Sequence, residues 1–131
     1  MVKVLDASAL LAYLEKEAGF EKVKDSFDKG SAGGKDLLMT TVNLGEVYYI
    51  VMKEYSQQDA EKVFNLVKTF PIEFVPVDLA LSIQAAQYKA AKNLPYADCF
   101  AAALAKLRKG ELITKDKDFK VVEGEIKILW I

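Results

Sequence analysis

The chain has no histidine, and only one of its 131 residues, Cys99, is a cysteine. Without histidine there is no general acid–base pair of the usual kind, and no Ser–His or Cys–His nucleophile. The two scarcities together remove almost every zinc site, since zinc draws on imidazole and thiolate. A lone cysteine forms no internal disulfide, which fits a reducing cytoplasm. No apolar run reaches the length of a membrane span, and "MVKVLD" lacks the layout of a signal peptide. Internal repeats, low-complexity tracts and interdomain linkers are also missing. The formal net charge of −1 argues against a strong non-specific grip on nucleic acid, though a local basic rim is compatible with it. Chemistry in this chain must therefore rest on carboxylates, lysines, hydroxyls and backbone groups.

What is present points to a packed α/β domain. Hydrophobic residues make up 52% of the chain, too many for disorder, and its length suits a single domain, 1–131, with a sizeable core. Short apolar runs alternate with helical patterns. "VKVLD" (2–6), "LLMT" (37–40), "IEFVP" (72–76), "ELIT" (111–114) and "IKILWI" (126–131) read as strands. A helix from Ser8 runs to a stop at Gly19, and a second covers 20–30 ahead of a "GSAGG" loop (30–34). Thr40 or Thr41 caps "VNLGEVYYIVMKEY", Ser56 and Asp59 form a capping box for a helix reaching about Phe70, and Asp78 caps "LALSIQAAQYKAAK". "KDKDFKVV" reads as a turn or short helix. Nearly all-apolar strands separated by helices imply a parallel sheet covered on both faces, in an open doubly wound architecture. A closed eight-stranded barrel needs a longer chain. Open sheets keep their ligand sites beyond the carboxyl ends of the strands, where strand order reverses.

One segment, "LPYADCFAAALAKLRKG" (94–110), holds a residue that resists such packing. Pro95 suits a first helical turn, Gly110 a stop, and Lys106, Arg108 and Lys109 the negative end of the helix dipole. Between Ala97 and Ala105 every position but one is apolar, the pattern of a buried helix. The exception is Asp98. A dipole interaction of about 0.3–1 kcal/mol does not offset the several kcal/mol needed to bury an unpaired carboxylate.

Three further acids belong to the same edge of the sheet. Asp6 closes the first strand, Asp116 lies just beyond the fourth at Thr114, and Glu46 occupies the early turns of the helix after the second. Each also has a plainer reading: Asp6 as a helix cap, Glu46 on a solvated stripe with Asn43 and Lys53, and Asp116 and Asp118 as solvated acids in a charged turn. If the four acids meet, each pair about 5 Å apart repels by about 3 kcal/mol at an effective dielectric near 20. An all-oxygen anionic site then calls for a hard cation, Mg²⁺ or Mn²⁺. Such an ion makes water a nucleophile suited to phosphate esters, so the chemistry suggested is metal-assisted phosphodiester hydrolysis.

The blocks "VLDASALLAYL", "VNLGEVYYIV", "LPYADCFAAALA" and "LITKDKDF" resemble, in order and spacing, the signature blocks of PIN-domain proteins, and among these the VapC-type toxin ribonucleases of toxin–antitoxin pairs. The resemblance covers essentially the whole chain. It implies a three-layer α/β fold with a five-stranded parallel sheet in order 3-2-1-4-5, switching between the first and fourth strands. It implies a Mg²⁺- or Mn²⁺-dependent endoribonuclease whose catalytic and metal-binding acids are Asp6, Glu46, Asp98 and Asp116, with Asp118 as an alternative fourth. Ser8 and Thr114 match small hydroxyl residues that orient ligands or water, and Asn43 stands where relatives often place serine or threonine. An RNA substrate, homodimers, a small antitoxin that wraps the toxin and blocks its site, and a cytoplasmic location complete the implied picture.

Other functions use similar sheets. A phosphoacceptor or phosphatase would take Asp6 as its covalent acceptor. Receiver-like domains, however, want an earlier acidic pair and a late-strand lysine, and haloacid-type phosphatases want a second aspartate where "DAS" has Ser8. A non-catalytic scaffold is a third reading, and the presence of all four acids speaks against it. Cys99, with no histidine to activate it, reads as a small buried hydrophobe. Gly45 within a helix suggests close packing. Tyr48, Tyr49 and Tyr55 read as core and dimer contacts, and Lys35, Lys115 and Lys117 as a phosphate rim. "FEKVKDSF" (20–27) fits an amphipathic helix or part of an antitoxin groove.

Overall fold

A computed structural model describes residues 1–31 and 36–131; most of the expected "GSAGG" loop, and Lys35, lie outside the described residues. Five strands form one parallel sheet: β1 (Lys3–Leu5), β2 (Leu37–Thr40), β3 (Glu73–Val75), β4 (Glu111–Thr114) and β5 (Lys127–Trp130). Their order, β3-β2-β1-β4-β5, is the expected one. Val4 pairs with Leu38 on one side and Leu112 on the other, so β1 is the central strand.

Side chains alternate across the sheet, and both faces are dry. Val4, Leu38 and Leu112 pack with α5 (Leu79–Ala91) and α6 (Tyr96–Leu107). Leu5, Leu37, Met39 and Ile113 pack instead with α1 (Ala7–Leu14), α2 (Phe20–Ser31), α3 (Thr41–Glu54) and α4 (Gln57–Val67). Two covered faces explain why the strands read as unbroken apolar runs. On α2, Val23, Ser26 and Phe27 are buried while the rest of "FEKVKDSF" is largely exposed, as an amphipathic helix requires.

Helix starts fall where side-chain oxygens allow. Asp6 accepts from Ala9 N–H, Thr40 from Asn43, Ser56 from Asp59 and Asp78 from Leu81. Thr40, rather than Thr41, is thus the cap of α3. Pro95 proves to be the N-cap of α6 instead of a residue of its first turn.

Helix stops differ more from expectation. Helix α1 ends at Leu14, well before Gly19, because Lys16 itself takes the left-handed conformation at φ 53°. The turn is closed by Lys16 N–H on Tyr13 O (3.3 Å) and Glu17 N–H on Ala12 O (2.9 Å). Helix α6 stops the same way at Lys109, φ 51°, with Lys109 N–H on Lys106 O (3.2 Å) and Gly110 N–H on Ala105 O (2.8 Å). Gly110 serves a different need: a Cβ there would stand 2.7 Å from Val2 O, so its bare Cα lets β4 start alongside β1. Helix α4 stops at Val67, short of Phe70, whose ring joins Tyr13 at 5.5 Å and Phe27 at 5.2 Å. Gly45 is not a packing glycine, since nothing lies within 4 Å of where its Cβ would be. The "KDKDFKVV" segment forms a 3₁₀ turn, Lys117–Val122, anchored by buried Phe119 and Val122. Among the described residues, no helix is long and apolar enough to cross a membrane.

Candidate active site

The carboxyl ends of β1 and β4 lie side by side, with Leu5 paired to Ile113, so the residues just beyond them meet at the switch point of the sheet. Asp6 stands there, 2% exposed. Its Oδ1 accepts Ala9 N–H (2.9 Å), Ser8 Oγ donates within reach of both oxygens (2.8 and 2.9 Å), and Thr114 Oγ1 donates to Oδ2 (2.6 Å). The cap reading of Asp6 is therefore correct without excluding a second role, because the capping bond itself holds the carboxylate at the sheet edge. Burial pushes its pKa up to about 6, against the hydrogen bonds from Thr114, Ala9 and Ser8, and the charge of Asp116 adds to the rise.

The hydroxyls of Ser8 and Thr114 link the two strand ends. They lie 3.1 Å apart; Ser8 Oγ accepts Lys115 N–H (3.1 Å) and Thr114 Oγ1 accepts Asp116 N–H (2.9 Å). Asp116 is half-buried and caps the 3₁₀ turn by accepting Asp118 N–H on Oδ1 (2.9 Å).

Glu46 is half-buried on α3, and the solvated stripe that was its plainer reading does not exist, because Asn43 is completely buried. Asn43 Nδ2 donates to Glu46 Oε1 (2.9 Å) and to Ala97 O (3.1 Å). From the sequence Asn43 has no assigned role; its signals are a position one helical turn before Glu46 and its place where relatives often carry serine or threonine. Burial raises the Glu46 pKa, the Asn43 bond opposes the rise, and the charge of Asp116 adds to it.

Asp98, in the first turn of α6, is 8% exposed, and its Oδ2 is buried without a hydrogen-bond partner. Burial pushes its pKa up to about 8, reinforced by the negative charges of Asp116, Asp6 and Glu46 and by a hydrogen bond with the Asp116 carboxyl that favours the protonated form. Acids from β1, α3, α6 and the end of β4 thus act on one another at one edge of the sheet. Carboxylate oxygens of Asp98, Asp116 and Asp118 lie within 4.8 Å of one another. Asp116 is the one whose charge reaches Asp6, Glu46 and Asp98, and exposed Asp118 completes a tight group with Asp98 and Asp116 that Asp6 and Glu46 stand outside.

The remaining expectations divide. Cys99 is buried, its Sγ directed at Leu94 O (3.7 Å). Lys115 is drawn from the expected phosphate rim into an ion pair with Glu17 (3.4 Å), while Lys117 is exposed. Tyr48 packs edge-on against Phe64, whereas Tyr49 and Tyr55 are mostly exposed and are not core residues.

A parallel sheet in this order, with acids gathered at its switch point, is a PIN-like α/β architecture. Residues 3–125 match the family model of the PIN domain, and the chain belongs to that family. Comparison with curated protein sequences finds no match. Among solved structures it is similar to VapBC2 from Rickettsia felis bound to a promoter DNA fragment (TM-score 0.77, 13% identity, covering 100% of this chain and 99% of that one). It is also similar to DNA-bound VapBC from Salmonella typhimurium (TM-score 0.76, 19% identity, 98% and 97% covered). A third is the sarcin–ricin-loop-cleaving toxin VapC20 of Mycobacterium tuberculosis (TM-score 0.68, 16% identity, 92% and 94% covered). At these identities the likeness is one of fold.

Proposed function

We propose that this chain, acting as one domain over 1–131, is a metal-dependent endoribonuclease and the toxin of a toxin–antitoxin pair. The observation that carries the reading is the buried, unpartnered Asp98 oxygen among three other acids. Such a group is compatible with a stable fold when a proton or a cation sits with it. The donor set is all oxygen, which fits Mg²⁺ or Mn²⁺ and not a softer ion. Asp6, Glu46, Asp98 and Asp116 would hold the ion, with Asp118 at the rim. A divalent cation held there would lower the pKa of water and offset charge growing on a phosphodiester. The protein's own groups supply order: Thr114 and Ser8 keep Asp6 at the switch point, the Thr114 hydroxyl holds the Asp116 backbone, and Asn43 holds Glu46.

With no histidine to take a proton from a 2′-hydroxyl, attack by water is favoured, and cleavage leaves 5′-phosphate and 3′-hydroxyl ends. Purified protein incubated with total RNA, with Mn²⁺ or Mg²⁺ and with EDTA, followed by mapping of the ends, tests this. Cation-dependent cuts with 5′-phosphates are expected. Cyclic 2′,3′-phosphates, or cleavage indifferent to EDTA, would rule the mechanism out.

The antitoxin reading draws on the VapBC neighbours and on a surface of this chain. Leu11, Leu14, Val51 and Val63 line a groove flanked by Glu15, Asp59 and Lys62, and beside it Glu15, Glu54 and the Glu17–Lys115 pair border a hollow that reaches Ser8 and Asp116, so acids outnumber lysines in both. An amphipathic segment with a basic end suits both. The same reading makes the protein a cytoplasmic homodimer, with the exposed rings of Tyr49 and Tyr55 as contact candidates.

A further inference from the structure

Asn43 lies fully enclosed at the start of α3, yet its side chain offers two donors and one acceptor oxygen. All are engaged. Its Oδ1 accepts from Thr40 Oγ1, while the two Nδ2 hydrogens go to Glu46 Oε1 (2.9 Å) and the Ala97 carbonyl (3.1 Å). Thr40 ends β2, Glu46 sits one turn further along α3, and Ala97 immediately precedes Asp98 on α6. A single amide therefore joins one strand end to the two helices that carry Glu46 and Asp98.

We infer that Asn43 is a positioning residue for Glu46, which it keeps turned toward the acid cluster, while its bonds to Thr40 and Ala97 hold the amide itself in place. The inference rests on the metal-dependent reading proposed above. The residue type follows from the geometry. A serine or threonine hydroxyl owns one hydrogen and can serve Glu46 or Ala97, not both. An ionised aspartate has none and sets a second charge against Glu46. Glutamine keeps both hydrogens but carries them one methylene further out. A clamp that only stabilised the fold would act independently of Glu46, whereas a positioning residue acts through it, so the two effects are non-additive.

The test is Mn²⁺ binding to the intact protein by isothermal titration calorimetry, for wild type, Asn43→Ser, Glu46→Ala and the double variant, with melting temperatures alongside. Partners that orient metal-binding side chains are commonly worth 10–100-fold in affinity, so Asn43→Ser is expected to weaken Mn²⁺ binding by about 10-fold. Once Glu46 is alanine, with no oxygen left for Asn43 to hold, the same change is expected to cost less than about twofold. In RNA cleavage, Asn43→Ser lowers kcat and leaves KM nearly unchanged. Equal weakening in both backgrounds, or none in either, overturns the inference and leaves Asn43 a clamp for stability alone. A wild-type protein that binds no Mn²⁺ removes the reading of the site and this inference with it, and is distinguishable from the former outcome. Should Asn43→Ser fail to fold, Asn43→Gln enters the same cycle with the same criterion.

Discussion

Folding takes the Asp98 carboxyl from water into a place where burial and three neighbouring acids push its pKa up to about 8. A pKa raised this far means that near pH 7 the metal-free native cluster retains a proton at Asp98 that the unfolded chain has lost. Acquiring that proton costs about 1.36 kcal/mol for each pH unit above the unfolded pKa. Asparagine has nearly the same shape and no proton to acquire. Asp98→Asn should therefore stabilise the metal-free protein by on the order of a few kcal/mol near neutral pH, and hardly at all near pH 4. An acid that merely complemented the helix dipole would behave oppositely, its loss costing about 0.3–1 kcal/mol at neutral pH. Denaturant titrations in EDTA at the two pH values separate these outcomes by sign. A less stable variant that still cleaves RNA like the wild type would reduce Asp98 to an anion at a helix end.

Among the elements, α1 and α6 share a device for stopping, a lysine in the left-handed region followed by backbone N–H groups that fold back onto the last turn. A Cβ in that region costs about 1–2 kcal/mol, which glycine avoids at some expense in unfolded-state entropy. Lys109→Gly is thus expected to raise stability by up to about 1 kcal/mol. Its neighbour should respond in the opposite direction. Gly110→Ala drives a methyl to 2.7 Å from Val2 O, where β1 and β4 begin to pair. Relieving that overlap means shifting the backbone of a central strand, at a cost of about 1–3 kcal/mol. Thermal melts of the two variants check the pair. A stabilised Gly110→Ala would mean that strand approach does not require the glycine.

Across the whole molecule, Asp6, Glu46 and Asp98 all have raised pKa values, at about 6 for Asp6 and about 8 for Asp98. Between about pH 4 and about pH 8 the native state consequently binds more protons than the unfolded chain, and these groups make stability fall as pH rises. Asp6 alone, raised by about two units, contributes on the order of 3 kcal/mol to that fall. The direction is opposite to that of a protein held together by ion-paired carboxylates. A cation that binds only the ionised native cluster should raise the melting temperature at millimolar concentration and flatten this slope. Melting curves at pH 5 and pH 8, in EDTA and in excess Mn²⁺ or Mg²⁺, provide the check. Curves that coincide with and without cation would eliminate the metal site.

The sequence by itself determined what depends on neighbours along the chain. Apolar runs announced a sheet buried on both faces, and side-chain oxygens at helix starts announced the caps Ser56 and Asp78, offered Asp6 as another and left Thr40 and Thr41 to be told apart. A lone acid in the apolar run of α6 marked Asp98 before any coordinates, since burial leaves a carboxylate no other inconspicuous place. Only the structure revealed the stops at Lys16 and Lys109, because local backbone hydrogen bonds closed those turns without a side-chain signal. It alone showed that Gly110 answers to Val2, that Gly45 faces open space, and that Asn43 belongs with the acids. Asn43 reaches Ala97 across 54 positions of chain, and Thr114 reaches Asp6 across 108. Periodicity reports which face of an element is apolar, but a bond between two elements depends on their relative placement, which exists only once the sheet has assembled.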